Sequence, residues 1–201
     1  MKKILILFAM VPMLSNAQEA ATIKTIGRAL FKDPAPKFMG ATLISASFAN
    51  HQGEPTDLPN LMSKYDEALK RNGLSLAQLE ENKLRYDLLG YKEQGTMYIY
   101  ETTSIGNLQK FLVSHSYGAQ RSDFGYTIVF DTPKAAELAR EAIDNARRKA
   151  DAIAKKMGSL LGPIVSVEDN NSPDIPIDRA LYNDNKVGEY EYDVTVVFAL
   201  K

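Results

Sequence analysis

The feature that most constrains this chain is one long helix signal near its C-terminal end. Asp131 or Thr132 can cap it, Pro133 sits at its first position, and Gly158 stands where it must stop after Met157. Between them Ala136, Ala139, Ile143, Ala146, Ala150, Ile153 and Met157 recur at three-and-four spacing, a narrow apolar stripe made mostly of alanine. Small side chains let a helix approach a sheet or another helix closely. The opposite face carries Asp144 four residues before Arg148 and Asp151 four before Lys155, pairs worth a few tenths of a kcal/mol each. A helix of about residues 133–157 with an alanine stripe needs a partner surface, and the strand signals around it supply one.

The clearest of these closes the chain. Tyr190, Tyr192, Val194, Val196 and Phe198 alternate with Glu191, Asp193 and Thr195. Tyr126 to Phe130, Ile164 to Glu168, Thr96 to Thr102, Leu84 to Leu88 and Ala41 to Phe48 also read as strands, with a weaker signal at Ile23, Thr25 and Ile26. Gly90 to Gly95 would join Leu84–Leu88 to Thr96–Thr102 as a hairpin. Asp57 caps a helix with Pro59 in its first turn; Leu58, Leu61, Met62, Tyr65 and Leu69 share a face, and Gly73 ends it. Ser75 with Gln78 opens a shorter helical segment, and Ser104 precedes a helix carrying Leu108, Phe111, Leu112 and His115. Asp169 to Gly188 reads as a polar loop. Interleaved helices and strands predict an α+β fold: an antiparallel or mixed sheet covered on one face by helices. Edge strands are sticky, and the C-terminal strand is the sequence's candidate for pairing between subunits.

The N-terminus sets the expected address. Lys2 and Lys3 precede an apolar run from Ile4 to Leu14, then Ser15-Asn16-Ala17, the three parts of a cleavable export signal with Gln18 as the new terminus. The run is about half of the ~20 residues that span a bilayer, and Pro12 interrupts it. Residues 1–17 are therefore expected to be removed, leaving residues 18–201 as a single domain without an integral membrane segment. The charge of −1 becomes −3 without the two lysines, which argues against nucleic acid. The absence of cysteine excludes disulfides and thiol chemistry, and suits a Gram-negative periplasm better than a small secreted scaffold.

A search for chemistry finds no catalytic, cofactor-binding or metal-binding residues to nominate. His51 lies in a loop beside Glu54 and Asp57, and His115 late in a helix between Ser114 and Ser116, whose side chains point in different directions. Glu80-Glu81, Asp169 with Asp174, and Glu189 with Glu191 are carboxylate pairs of the kind any solvated surface carries. Asp169-Asn170-Asn171-Ser172 with Asp174, Asp178 and Asp184 is oxygen-rich but lacks the spacing of a calcium loop. Arg147, Arg148 and Lys149 fan over ~200° of helix and form no single patch. Tyr86, Tyr98, Tyr100, Tyr190 and Tyr192 sit on the expected strands, suited to sheet packing or to an exposed aromatic surface.

One segment resembles a known family. Ala139 to Ala154, with its Ala146-Arg147-x-Lys149-Ala150 core, followed by Gly158, Gly162 and Ile164, is similar to the C-terminal signature of the SIMPL-domain family of periplasmic proteins. Tyr192 to Leu200 is similar to that family's closing strand, and Thr102-Thr103 through Leu108, Leu112 and Gly118-Ala119 to its preceding strand, helix and turn. The family's V-x-G-x-G opening strand finds only Ile26-Gly27-Arg28 here. The resemblance implies a compact α+β domain, a periplasmic or envelope location, homo-oligomerisation, and basic residues of the signature bridging to acidic neighbours on the helix surface. It implies no enzymatic activity. The resulting expectation is a non-enzymatic periplasmic protein that assembles with itself, with possible envelope association and an envelope or stress-related role. The alternative is a small-ligand or metal-binding module using the acidic loop of residues 169–184.

Overall fold

A computed structural model of the chain describes residues 21–51, 56–91, 93–181 and 186–201. The expected export signal, residues 1–17, lies outside the described residues, as do residues 52–55 of the loop after His51 and the side chain of His51 itself.

The described chain forms two antiparallel sheets. The first has the order β1 (Thr22–Lys32), β8 (Glu189–Leu200), β6 (Leu161–Asp169). The second has the order β3 (Glu80–Glu81), β4 (Gly95–Thr102), β2 (Lys37–Ser45), β5 (Ala119–Ile128), β7 (Ile177–Ala180). They share one hydrophobic core. Phe130, leaving β5, meets Phe31 of β1 edge-on at 5.6 Å and the rings of Tyr190 and Tyr192 of β8 at 5.3 and 5.6 Å. The segment expected to be a loop between Asp169 and Gly188 contains β7, which pairs with β5 rather than with its sequence neighbours β6 and β8. The chain thus crosses from the first sheet to the second and back, tying the two together.

Helices α2 (Leu58–Arg71) and α4 (Ile105–Val113) cover one face of the second sheet. Asp57 caps the first through the amide of Asn60, as the sequence predicts, and Ser104, expected only to precede a helix, caps the second through that of Asn107. Phe111 stacks on Tyr100 at 5.3 Å and lies over Gly40, where a Cβ would come within 2.6 Å of the ring. The other face holds α1 (Ala46–His51) and α3 (Lys83–Leu88), with Tyr86 of α3 buried among Ala41, Leu43 and Met97.

Several expectations change here. Leu84 to Leu88 is helix α3, not a strand, and the hairpin does not form. Asn82 accepts from the Arg85 amide and starts a helical turn, Lys83 pairs with Asp87 one turn on, and both neighbours of β4 are other strands. Tyr86 alone turns inward, leaving Leu84 and Leu88 exposed, so the shared inner face that alternation gives these three residues does not exist. The strand expected to reach Phe48 ends at Ser45, and residues 46–51 form α1, so the backbone of His51 ends a helix instead of lying in the expected loop. The expected Tyr126–Phe130 strand starts at Ala119 and stops at Ile128. The helical segment opened by Ser75 is a single 3-10 turn, Leu76–Gln78, in which the Ser75 amide donates to Gln78 Oε1. His115 lies beyond α4, not within it. The C-terminal strand is the centre of its sheet, hydrogen-bonded on both sides, and has no free edge to offer a second subunit. β1 is longer than expected because its inward residues include Thr25, Gly27 and Ala29, which dilute the apolar alternation.

Helix α5 (Thr132–Lys156) packs on the first sheet, capped by Asp131 through the Lys134 amide. Its buried stripe is Ala135, Leu138, Ala142, Ala146, Ala150 and Ala154, sharing only Ala146 and Ala150 with the expected one; Ile153 and Met157 are exposed. From Leu138 onward the buried positions are four apart, a row inclined to the helix axis that follows the twist of a sheet. Gly27 of β1 makes the approach possible. A Cβ there would lie 2.9 Å from the Ala146 Cβ and 2.7 Å from the Ala142 carbonyl carbon, closer still to its oxygen.

Candidate functional site

The polar side chains of α5 account for the sequence's most distinctive segment. Lys149 Nζ donates to the Ile26 carbonyl at 2.8 Å, and Asn145 Oδ1 accepts from the Arg28 amide at 3.2 Å. Both partners are backbone groups on the outer edge of β1, the side not paired with β8. Thr25 Oγ1 donates to the Ala146 carbonyl at 3.3 Å, and the Arg147 guanidinium lies 5.4 Å from the centre of the Phe198 ring. The expected bridging of these basic residues to acidic neighbours is therefore corrected: Arg147 covers an aromatic ring, and Lys149 satisfies a strand carbonyl. Both act at the contact between helix and sheet, where a charge-assisted hydrogen bond and a cation over a ring are each favourable. Of the two expected acid-base pairs along the helix, Asp151 and Lys155 close at 2.6 Å. Asn145 was not singled out by sequence reasoning, and nothing but its place beside the Ala-Arg-x-Lys-Ala core pointed to it.

The acidic loop is held by hydrogen bonds to separate partners. Asp169 accepts from the Tyr192 hydroxyl at 2.5 Å and from both nitrogens of Asn171, whose Oδ1 in turn accepts from the Tyr190 hydroxyl at 2.6 Å. Burial, then the hydrogen bond to Asp169, pushes the Tyr192 phenol well above its usual range, and burial raises Tyr190 as well. Asp174 accepts from Thr132 Oγ1 at 2.7 Å and Asp178 from Thr127 Oγ1 at 3.0 Å. Asp184 lies outside the described residues. Among the described residues no three of His, Asp and Glu gather as metal ligands would. The loop's oxygens staple it to β8, α5 and β5.

The other sequence candidates disperse. Exposed His115 has Nε2 3.0 Å from Arg121 Nη2. Glu80-Glu81 forms the two-residue strand β3. Glu191 and Asp193 meet Arg28 at 3.0 and 3.5 Å on the open face of the first sheet. Arg179 stands over the Tyr190 ring at 5.4 Å and divides two shallow clefts. One, about 230 Å³, lies beside Gly125, Tyr126 and Asp178; the other, about 410 Å³, beside Glu189, Glu191 and Asp193. Of the five tyrosines on expected strands, Tyr86 is on a helix, its hydroxyl hydrogen-bonded to Ser45 at 2.6 Å, and Tyr98, Tyr100 and Tyr192 are buried in sheets.

What the first sheet leaves open is a surface. α5 covers one face; the other presents Lys24, Ile26, Arg28, Leu30 and Lys32 of β1 beside Glu191 and Asp193 of β8, with no helix over them among the described residues. One flank, β6, has no strand beyond it among the described residues. No helix among the described residues is long and apolar enough to cross a membrane.

A family model described as SIMPL, a protein of unknown function (DUF541), matches residues 58–198. The match covers α2 to β8 and leaves β1 and β2 before it, although β1 completes the sheet under the signature helix. No curated protein matches the chain.

Proposed function

The chain belongs to the SIMPL family, and from that premise we propose that it is an exported, non-enzymatic domain that assembles with itself in the periplasm and serves the cell envelope. The observation that carries self-assembly is the first sheet, which has one face covered by α5 and, among the described residues, leaves the other face and the β6 flank without a partner. A non-enzymatic role is supported by where the family signature goes: its Arg and Lys serve the packing of α5 on β1 and β8. Export is supported by Lys2-Lys3, the Ile4–Leu14 run and Ser15-Asn16-Ala17. Light scattering on the purified chain at increasing concentration tests assembly: a mass above that of one chain is expected, and a strict monomer throughout overturns it. Fractionation of a Gram-negative host with N-terminal sequencing tests export. A periplasmic product beginning at Gln18 is expected, and a cytoplasmic product retaining residues 1–17 overturns it.

A further inference from the structure

The two sheets have four outer flanks among the described residues, and three are blunted. β3 is two residues long, both glutamate, and β7 is four residues long. The outer backbone of β1 is engaged by Asn145 and Lys149 of α5. Short edges, charged edges and covered edges are the devices by which sheets avoid pairing with other chains. β6 differs. Its first half carries Pro163 and the register shifts between Leu161 and Ser166, but from Ser166 to Asp169 it runs in unbroken register with Val197 to Val194. Val165 to Asp169 is a continuous exposed stretch, with Val165 60% and Val167 46% exposed. Among the described residues no hydrogen bond engages the outer backbone of Ser166 to Glu168.

We propose that β6 is the assembly edge, pairing antiparallel with β6 of a second copy about a two-fold axis at Val167. The occupant is argued from self-complementarity. A two-fold axis forces an antiparallel, isologous pair. Centred on Val167 it sets Val167 against itself, Ser166 against Glu168, and Val165 against Asp169, so no two like charges stand directly opposite. The product is a continuous six-stranded sheet with both copies of α5 on one face. The regular part of the paired stretch, Ser166 to Glu168, is about 10 Å long, so the contact is modest and assembly depends on concentration. The pairing rests on the self-assembly proposed above and names the surface that performs it.

The chain has no cysteine, so a single Val167→Cys reports on the pair directly. Oxidation of the purified full-length variant is expected to give a covalent dimer at Val167→Cys and not at Ile26→Cys on the open sheet face or Leu88→Cys on α3. Independently, Val165→Lys with Val167→Lys is expected to weaken assembly about tenfold or more in light scattering, with an unchanged far-UV spectrum verifying the fold. If the wild-type chain assembles but Val167→Cys cross-links no better than Ile26→Cys, the edge assignment is overturned and self-assembly stands. If the wild-type chain is a strict monomer, both fall.

Discussion

Replacing Gly27 by alanine tests the contact on which the first sheet and α5 depend. The added Cβ would sit 2.7 Å from the Ala142 carbonyl carbon and 2.9 Å from the Ala146 Cβ, where carbon atoms prefer about 3.5–4.0 Å. The nearest obstacle is helix backbone, so no side chain can swing aside. Relief requires α5 to retreat by about 1 Å, and a gap of that size forfeits a quarter to a half of each dispersion contact along the stripe. The retreat also stretches three bonds between helix and strand: Lys149 to Ile26, Asn145 to Arg28, and Thr25 to Ala146. Overpacking alone costs about 1–3 kcal/mol, and weakening bonds worth about 1 kcal/mol each brings the total to about 3–5 kcal/mol. That is a large share of the ~5–15 kcal/mol that holds a domain folded. Urea unfolding followed by far-UV circular dichroism reads it as a lower midpoint at unchanged slope. A second substitution, Ala146→Gly, is expected to recover little, because the Ala142 carbonyl remains. A loss below about 1 kcal/mol for Gly27→Ala, or full rescue by Ala146→Gly, would refute the close-approach argument.

Other substitutions probe separate parts of the fold. Gly106→Ala, in α4 where a Cβ meets nothing nearer than Ser104 Oγ at 3.7 Å, should raise stability by about 0.5–1 kcal/mol in the same urea assay. Lys149→Met should cost about 1 kcal/mol and, by freeing the Ile26 carbonyl on the outer edge of β1, increase aggregation measured by turbidity on mild heating. Burial pushes the Tyr65 phenol up to about 12, offset in part by its hydrogen bond to Thr42. Its folded value lies above the unfolded value near 10, so its contribution is intact below pH 10 and is lost as pH rises toward 12, about 2–3 kcal/mol in all. Tyr65→Phe should flatten that alkaline decline in pH-dependent unfolding, at a cost of about 1 kcal/mol at neutral pH.

Local signals were legible in the residues wherever a nearby group sets the outcome. Asp57 and Asp131 cap the helices expected of them, because a cap bonds amides two or three positions away. The alternation of Tyr192, Val194, Val196 and Phe198 shows directly as the buried face of β8. Short segments were less legible. Six residues around Tyr86 fit either period, and which of them is buried depends on Leu43 and Ser45, about forty positions away, and on Met97 of the next strand. The candidate surface was least legible. That β8 is central and β6 peripheral follows from strand order, and what places β8 at the centre is its pairing with β1 across more than a hundred positions, as Gly27 with Val194. The alanine stripe promised a close contact, but its phase on the helix is set by the twist of the sheet beneath and by the missing side chain of Gly27. Arg147 and Lys149 are the same kind of case. Their charge and helical position are evident from the chain alone, whereas a ring under one and a strand carbonyl beside the other exist only once β1 and β8 lie against the helix.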